Sequence, residues 1–354
     1  MIKALIVDDS KVQREFLAHL LSSDPDIRVV GLAASGAEAI EQAKKKKPNV
    51  ITMDIHMPEM DGYETTRLIM ETVPTPIVIV SGSVTTKEVA GTFKSLEAGA
   101  LAVVLYPQGF EHPDFAALRM ELIQTVKLMS EVKVVRRFPR SRKEQAKPLR
   151  LEQTFENGMS GIEIIAIGAS TGGPIALEKI LSGLPADLPV PVLIVQHITA
   201  GFLPGFKEWL SKTSGIRLKI AENGEEVRAG IGYIAPDNFQ MGIDRRKIIK
   251  LTDGPPEHGL KPSVSYLFRT VAQNFGPNAA GILLTGMGKD GAAELKEMKE
   301  KGALTVVQNE ESSVVFGMPG EALKIGAADH ALSPEKIVEI LIKSGSKNRS
   351  WAKK

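Results

Sequence analysis

Ile164-Ile-Ala-Ile-Gly-Ala-Ser-Thr-Gly-Gly173 is an apolar run that ends in small residues and leaves the hydroxyl of Ser170, with Thr171 next to it, where a helix is set to begin. A strand-to-helix turn of this kind belongs to α/β architecture. Its first helical turn has unpaired backbone amides and the positive end of the helix dipole, so it can stabilise an oxyanion beside an attacking oxygen. Glycines at a helix start also cradle phosphate, and they also make plain turns. Three readings stay open for this segment: a serine nucleophile, an anion cradle and a structural turn. Against the cradle, Gly-x-Gly-x-x-Gly spacing is missing, and Pro174 stands where Lys-Ser or Lys-Thr would follow Gly173.

Working outward, the apolar runs EIIAIG, VLIVQH, GYIAP, AGILLTG and ALTVVQ recur between helix-like segments through the second half of the chain. Between Ile216 and Leu251 the runs shorten and turn residues accumulate (Asn223-Gly224, Ala235 to Asn238, Gly242 to Arg246), which predicts hairpins appended to a parallel core. The first half shows the same alternation in IKALIV, RVVGLAA, NVITMD, PIVIVSG and ALAVVLYP. Each connection is long enough for a crossover helix, so both sheets are expected to be parallel with helices on both faces. The predicted fold class is α/β: two doubly wound parallel-sheet domains, the second with an appended β-hairpin region. The expected boundaries are 1–130 for the first domain, 131–158 for a linker, 159–346 for the second domain and 347–354 for a frayed tail. The linker carries a basic cluster (Arg136, Arg137, Arg140, Arg142, Lys143) that reads as a solvated tether.

A chain of 354 residues exceeds what one hydrophobic core usually supports, in keeping with two domains. Its formal net charge is +2, with both signs interspersed, so nucleic acid is not an expected partner. The sequence has no cysteine, which excludes disulfides, thiolate nucleophiles and Cys-ligated zinc and fits a reducing compartment. It shows neither a secretory leader nor an apolar run of about 18 residues, so membrane insertion is not expected. A cytoplasmic protein, monomeric by default, is the simplest expectation.

Asp8 and Asp9 follow the strand IKALIV, and Asp54 follows NVITM. Parallel strands gather their carboxyl ends, so these acids should converge, and converging carboxylates call for a hard cation such as magnesium. Taken singly, each acid would more simply cap a turn. Ser81 lies at a neighbouring strand end, where its hydroxyl could bond a phosphoryl oxygen on Asp54. The segments DDS at 8–10, MDIHMPEMDG at 53–62, VSGS at 80–83 and the pair Tyr106-Pro107 resemble a response-regulator receiver domain. That resemblance implies Asp54 as phosphoacceptor, magnesium among Asp8, Asp9, Asp54 and the carbonyl of His56, Ser81 and position 106 as the switch residues, and a histidine kinase as phosphodonor. One position departs. Tyr106 stands where such domains usually carry lysine, and a phenol supplies no cation, so weakened phosphorylation or switching is expected.

A serine hydroxyl needs a base, and the base an orienter. His197 ends the strand VLIVQ, and Asp290 sits beyond the run AGILLTG, so alcohol, imidazole and acid all come from strand ends. His258 and His330 fall in turn-like segments. The order Ser, His, Asp and the lack of a Gly-x-Ser-x-Gly elbow disfavour the α/β-hydrolase family. With GASTGG, Gln196-His197 and TGMGKDG at 285–291, the segments GYIAP at 232–236, KPSV at 261–264 and FGMPGEAL at 316–323 resemble the chemotaxis-type protein-glutamate methylesterase. The resemblance implies Ser170 as nucleophile, His197 as general base and acid, Asp290 as its orienter, and the amide of Met287 with Thr171 at the oxyanion. It also implies hydrolysis of γ-glutamyl methyl esters on the cytoplasmic helices of chemoreceptors, with glutamine deamidation open to the same intermediate and no metal at the esterase step. Ser265 departs from the pattern, which usually has an acid after Pro-Ser-Val. Two other classes remain: a noncatalytic two-component output module that binds a partner, and a serine hydrolase of a different acyl substrate.

Overall fold

The computed structural model describes residues 1–82, 86–107, 109, 112–134 and 161–346, and the chain divides into two compact units, Met1–Pro148 and Leu149–Lys354. Most of the expected linker with its basic cluster, and the expected tail, lie outside the described residues.

The first unit runs β1 (Ile2–Val7), α1 (Lys11–Ser22), β2 (Ile27–Ala33), α2 (Gly36–Lys46), β3 (Val50–Met53), α3 (Gly62–Thr72), β4 (Ile77–Ser81), α4 (Thr86–Ala98), β5 (Ala102–Leu105) and α5 (Phe115–Met129). The described strands form one parallel sheet in the order β2-β1-β3-β4-β5. β3 and β4 are buried along their whole length, as strands covered on both faces must be, which is why they read as mostly apolar runs, broken only by Thr52 and Ser81. Helix starts are fixed by side-chain caps: Ser10 accepts from the Gln13 amide, Ser35 from Glu38 and Asp61 from Glu64.

The second unit runs β6 (Ile164–Ala169), α6 (Gly173–Gly183), β7 (Val192–Gln196), α7 (Leu203–Thr213), β8 (Arg217–Ile220), β9 (Ile231–Ile234), β10 (Gln240–Ile243), β11 (Ile249–Thr252), α8 (Val264–Phe275), β12 (Ala279–Leu283), α9 (Ala292–Glu300), β13 (Leu304–Gln308), α10 (Met318–Lys324), β14 (His330–Leu332) and α11 (Pro334–Ser346). Seven of these strands build a wholly parallel sheet, β14-β13-β12-β6-β7-β9-β8, and β10 and β11 form the antiparallel hairpin. The predicted hairpin region is thus narrower than expected. β8 and β9 belong to the main sheet and pair in parallel. β8 is an edge strand of four residues with only Leu218 fully buried, so it carries too little apolar periodicity to be read as a core strand. His330, expected in a turn, begins the other edge strand, where it pairs with Val306.

In both sheets the chain winds outward in two directions from a central pair. The reversal falls between β1 and β3 in the first unit and between β6 and β12 in the second. Loops leaving the carboxyl ends of such a pair diverge and open a crevice, which is where ligands bind in open α/β sheets. Asp8, Asp9 and Asp54 lie at the first crevice. Ser170 and the loop carrying Met287 and Asp290 lie at the second.

Helix α8 seals one face of the second sheet through Leu267, Phe268, Val271 and Phe275, packed in one buried cluster with the β10–β11 residues Met241, Ile243 and Ile249. Its first turn presses on β6 at Gly168, where any Cβ would collide with the Val264 methyls. Gly168→Ala should therefore overpack the contact and cost about 1–3 kcal/mol. Urea unfolding checks this, and Val264→Ala in the same chain should restore most of the loss.

Candidate active site

Ser170 directly follows β6 and begins the turn into α6, with its amide donating to Thr285 O at 3.1 Å and its carbonyl accepting from Gly173 N at 2.7 Å. Gly172, at φ +78°, makes the left-handed step that turns the chain into the helix. β6 and β7 are in register with Ala169 opposite Gln196, and His197 N donates to Ala169 O at 2.9 Å. Ser170 and His197 are therefore the residues that directly follow two paired strands, each one position past the last registered pair. The loop after β12 also passes close: a Cβ built on Gly286 would lie 2.6 Å from the Cβ of Ser170.

Asp290 comes from that loop. Its Oδ2 lies 3.0 Å from Nε2 of His197, and the two side chains are only 2% and 9% exposed. Nε2 makes no aligned hydrogen bond among the described residues, so the pair is held at ion-pair distance rather than by a linear bond. The carboxylate also accepts from the first amides of α8, Val264 N to Oδ2 at 2.6 Å and Ser265 N to Oδ1 at 3.0 Å. Burial pushes the Asp290 carboxyl upward, but the imidazole and these donors outweigh it and hold the acid below its ordinary range. Asp290 is thus ionised, dry and directed.

Exposure rises steeply from there. Ser170 and Thr171 are half-buried, and Met287 is 46% exposed. Among the described residues the backbone amides of Thr171 and Met287 donate no internal hydrogen bond, so both are free to serve an oxyanion.

Several contributors were not legible as such. Gln196 is buried, and its Nε2 donates both to Ser170 O at 2.9 Å and to His197 O at 2.7 Å, clamping the two loops together. Thr285 Oγ1 donates to Thr171 O at 3.0 Å and accepts from Val315 N at 2.9 Å. Gln196 and Thr285 fall inside the motif segments Gln196-His197 and TGMGKDG, but nothing local marked their side chains as clamps. Asp237 ends the run after β9, level with His197 by strand register, and its Oδ2 accepts from Gly201 N at 3.0 Å. Burial raises its carboxyl pKa.

In the first unit Asp8, Asp9 and Asp54 do converge, each offering a carboxylate oxygen within 4.8 Å of the others. Asp8 is pushed up to about 6, by burial first and then by the charges of Asp54 and Asp9, against the Ser10 amide and the Arg14 guanidinium. Burial also raises Asp54, despite donors from His56 and Ile55. An oxygen-only donor set that resists ionising together fits a hard divalent cation such as magnesium. Ser81 ends β4 and is buried, and its carbonyl accepts from Tyr106 N at 2.8 Å. The Tyr106 ring lies 5.7 Å from that of Phe16, and burial, then the charge of Asp8, pushes its phenol up to about 12. Position 106 therefore presents a neutral group to the acid pocket.

Fold and sites together define a class: a receiver-like acid pocket in one α/β unit, with the strand-end constellation of a serine hydrolase in the other. Residues 165–341 match the family described as CheB methylesterase, and residues 4–112 match the response regulator receiver domain. The chain belongs to the CheB methylesterase family. It is 54% identical over 344 residues to Protein-glutamate methylesterase/protein-glutamine glutaminase 1 of Syntrophus aciditrophicus (strain SB), covering 97% of this chain and 98% of that protein. It is 37% identical over 346 residues to Protein-glutamate methylesterase/protein-glutamine glutaminase of Pyrococcus horikoshii, covering 97% and 93%. The crystal structure of the Thermotoga maritima CheB methylesterase catalytic domain superposes with a TM-score of 0.50 at 36% identity, covering 51% of this chain and 98% of that one.

The acid pocket makes a stability prediction. Asp8 holds its proton more tightly folded than unfolded, so its ionisation withdraws stability as pH rises from 3.8 through about 6. Asp8→Asn should raise metal-free stability at pH 7 by about 1 kcal/mol after solvent screening. Millimolar Mg2+ should raise the melting temperature of the parent chain and leave that of the variant nearly unchanged, as calorimetry would read.

Proposed function

We propose that the chain hydrolyses γ-glutamyl methyl esters on the cytoplasmic helices of chemoreceptors, and deamidates glutamines at such positions, through Ser170, His197 and Asp290. The observation that carries this reading is the 3.0 Å contact between His197 and a buried Asp290, with Ser170 one register step away. The names of the relatives supply the substrate class.

His197 takes the Ser170 proton as the oxygen attacks the ester carbonyl, and Asp290 stabilises the imidazolium that forms. The amides of Thr171 and Met287 receive the oxyanion of the tetrahedral intermediate. His197 then returns the proton to the departing methanol, leaving a glutamyl ester on Ser170. Water, activated by the same imidazole, releases the glutamate. With ammonia as leaving group the same steps deamidate glutamine. No metal takes part in this sequence.

Residues 1–130 act as the receiver and 159–346 as the catalytic domain, joined by a linker at 131–158 and followed by a tail at 347–354. Asp54 accepts a phosphoryl group from a histidine kinase, and Asp8, Asp9 and Asp54, with the His56 carbonyl, would hold magnesium. The cation would neutralise charge on the transferring oxygens. Ser81 bonds the phosphoryl oxygen, and Tyr106 couples it weakly because its phenol is neutral. Phosphorylation raises esterase activity by relieving inhibition from the receiver. The chain works in the cytoplasm as a monomer. Among the described residues no helix is long and apolar enough to cross a membrane.

Incubation with methyl-labelled receptor membranes, counting released methanol, tests the activity. Ser170→Ala should reduce release by at least about 10³-fold. Labelling of Ser170 by a serine-directed reagent without methanol release would point to another acyl substrate, and absence of both to a noncatalytic output module. A small-molecule phosphodonor with Mg2+ should accelerate release by the intact chain, and Asp54→Asn should remove that acceleration.

A further inference from the structure

A buried hydroxyl stands against the acid that faces His197. Ser265, 0% exposed, sits in the first turn of α8. Its hydroxyl donates to Glu294 Oε2 at 2.6 Å and accepts from Gly291 N at 2.9 Å. Its own amide donates to Asp290 Oδ1 at 3.0 Å. One residue thus grips Asp290 at both ends, the carboxylate directly and the main chain through the following peptide.

Glu294 is fixed in turn. It stands in the first turn of α9, where a carboxylate complements the helix dipole, and Arg269 Nη2 donates to its Oε1 at 3.1 Å. Arg269 also binds Glu257 with both ends of its guanidinium, at 2.9 and 2.8 Å. Glu257 and Leu260 exchange backbone hydrogen bonds of 3.0 and 2.8 Å across the exposed turn His258-Gly259. A continuous polar chain therefore runs from a surface turn to the acid that faces His197.

We propose that Ser265 and Glu294 are positioning residues for Asp290, the Glu294 carboxylate on α9 acting on the Asp290 loop through the Ser265 hydroxyl bridge. The inference rests on the triad reading above. A hydroxyl is suited to this place because it donates and accepts at once. Alanine would leave the Gly291 amide and one Glu294 oxygen without partners. A carboxylate could accept from Gly291 but would oppose Glu294 charge to charge, with no proton to share.

The test uses the full chain, methanol release from methyl-labelled receptor membranes, and thermal melting to normalise kcat to folded protein. Ser265→Ala should lower kcat about tenfold with KM changed less than about twofold, and Ser265→Thr should keep kcat within about threefold. Ser265→Asp should lose more than the alanine variant. Adding Glu294→Gln should recover most of that loss, because the amide introduced at 294 can donate to the carboxylate introduced at 265. In histidine-labelled NMR spectra the His197 ring nitrogen facing Asp290 should shift in the alanine variant and not in the threonine variant. A Ser265→Ala chain with parental kcat and an unshifted His197 signal overturns the proposal, as does a folded Ser265→Asp chain that Glu294→Gln fails to rescue. A Ser170→Ala chain that loses less than about 10³-fold would instead strike the triad reading, so the two failures are separable.

Discussion

A carboxylate as dry as that of Asp290 stays ionised only while donors surround it, and the second unit is built around supplying them. Two come from the amino end of α8, where Val264 and Ser265 present amides that have no partner within the helix. The helix dipole adds to their effect. The imidazole of His197 is the remaining partner, 3.0 Å from Oδ2. For this to work α8 must start at one height above the sheet, which the close approach of Val264 to Gly168 on β6 enforces. Site geometry and core packing are here one constraint: β6 carries Ser170 just past its end and sets the helix that binds Asp290 along its side.

The first unit places acids at the same topological position to the opposite effect. Asp8 and Asp54 also stand at the switch between strands, but burial is the largest influence on each and outweighs their donors, and neighbouring acids add to it, Asp54 and Asp9 for Asp8 and Asp9 for Asp54. Their carboxyls are therefore pushed up where that of Asp290 is held down. A pocket of that kind gains from a cation and from a transferable anion that brings one along. A pocket like that of Asp290 gains from being left alone with its histidine. Two crevices of one architecture are thus tuned by what surrounds the carboxylates rather than by which residues line them.

The sequence was most readable where both faces of an element are buried. β3, β4, β6, β7, β12 and β13 are buried along their length and mostly apolar, and they stand out without any alignment. Residues at their ends were legible because parallel strands bring such ends together, which is how Asp8, Asp54, Ser170 and His197 could be grouped. Edge strands were harder: β8 alternates too briefly, and β14 has three residues with His330 exposed. The grip on Asp290 was not legible either. It depends on α8 meeting the β12–α9 loop across about 25 residues of sequence, a contact set by layer packing and not by any local period. Gln196 was visible only as the neighbour of a histidine, yet its amide ties together the carbonyls of Ser170 and His197.

Across a few residues the second site passes from a 2% exposed carboxylate to a 46% exposed methionine at Met287. The gradient has a chemical use. The acid and its imidazole need low dielectric for their charges to act strongly on each other. On the proposed reading the ester of a protein side chain, by contrast, arrives on a surface too large to be enclosed, which suits the half-buried Ser170 and Thr171 and the exposed Met287. Drawing Asp290 from a loop that dips under α8, while Met287 three residues earlier stays in solvent, satisfies both needs with one segment. Gly288 and Gly291, both at positive φ, let the chain make that descent so abruptly.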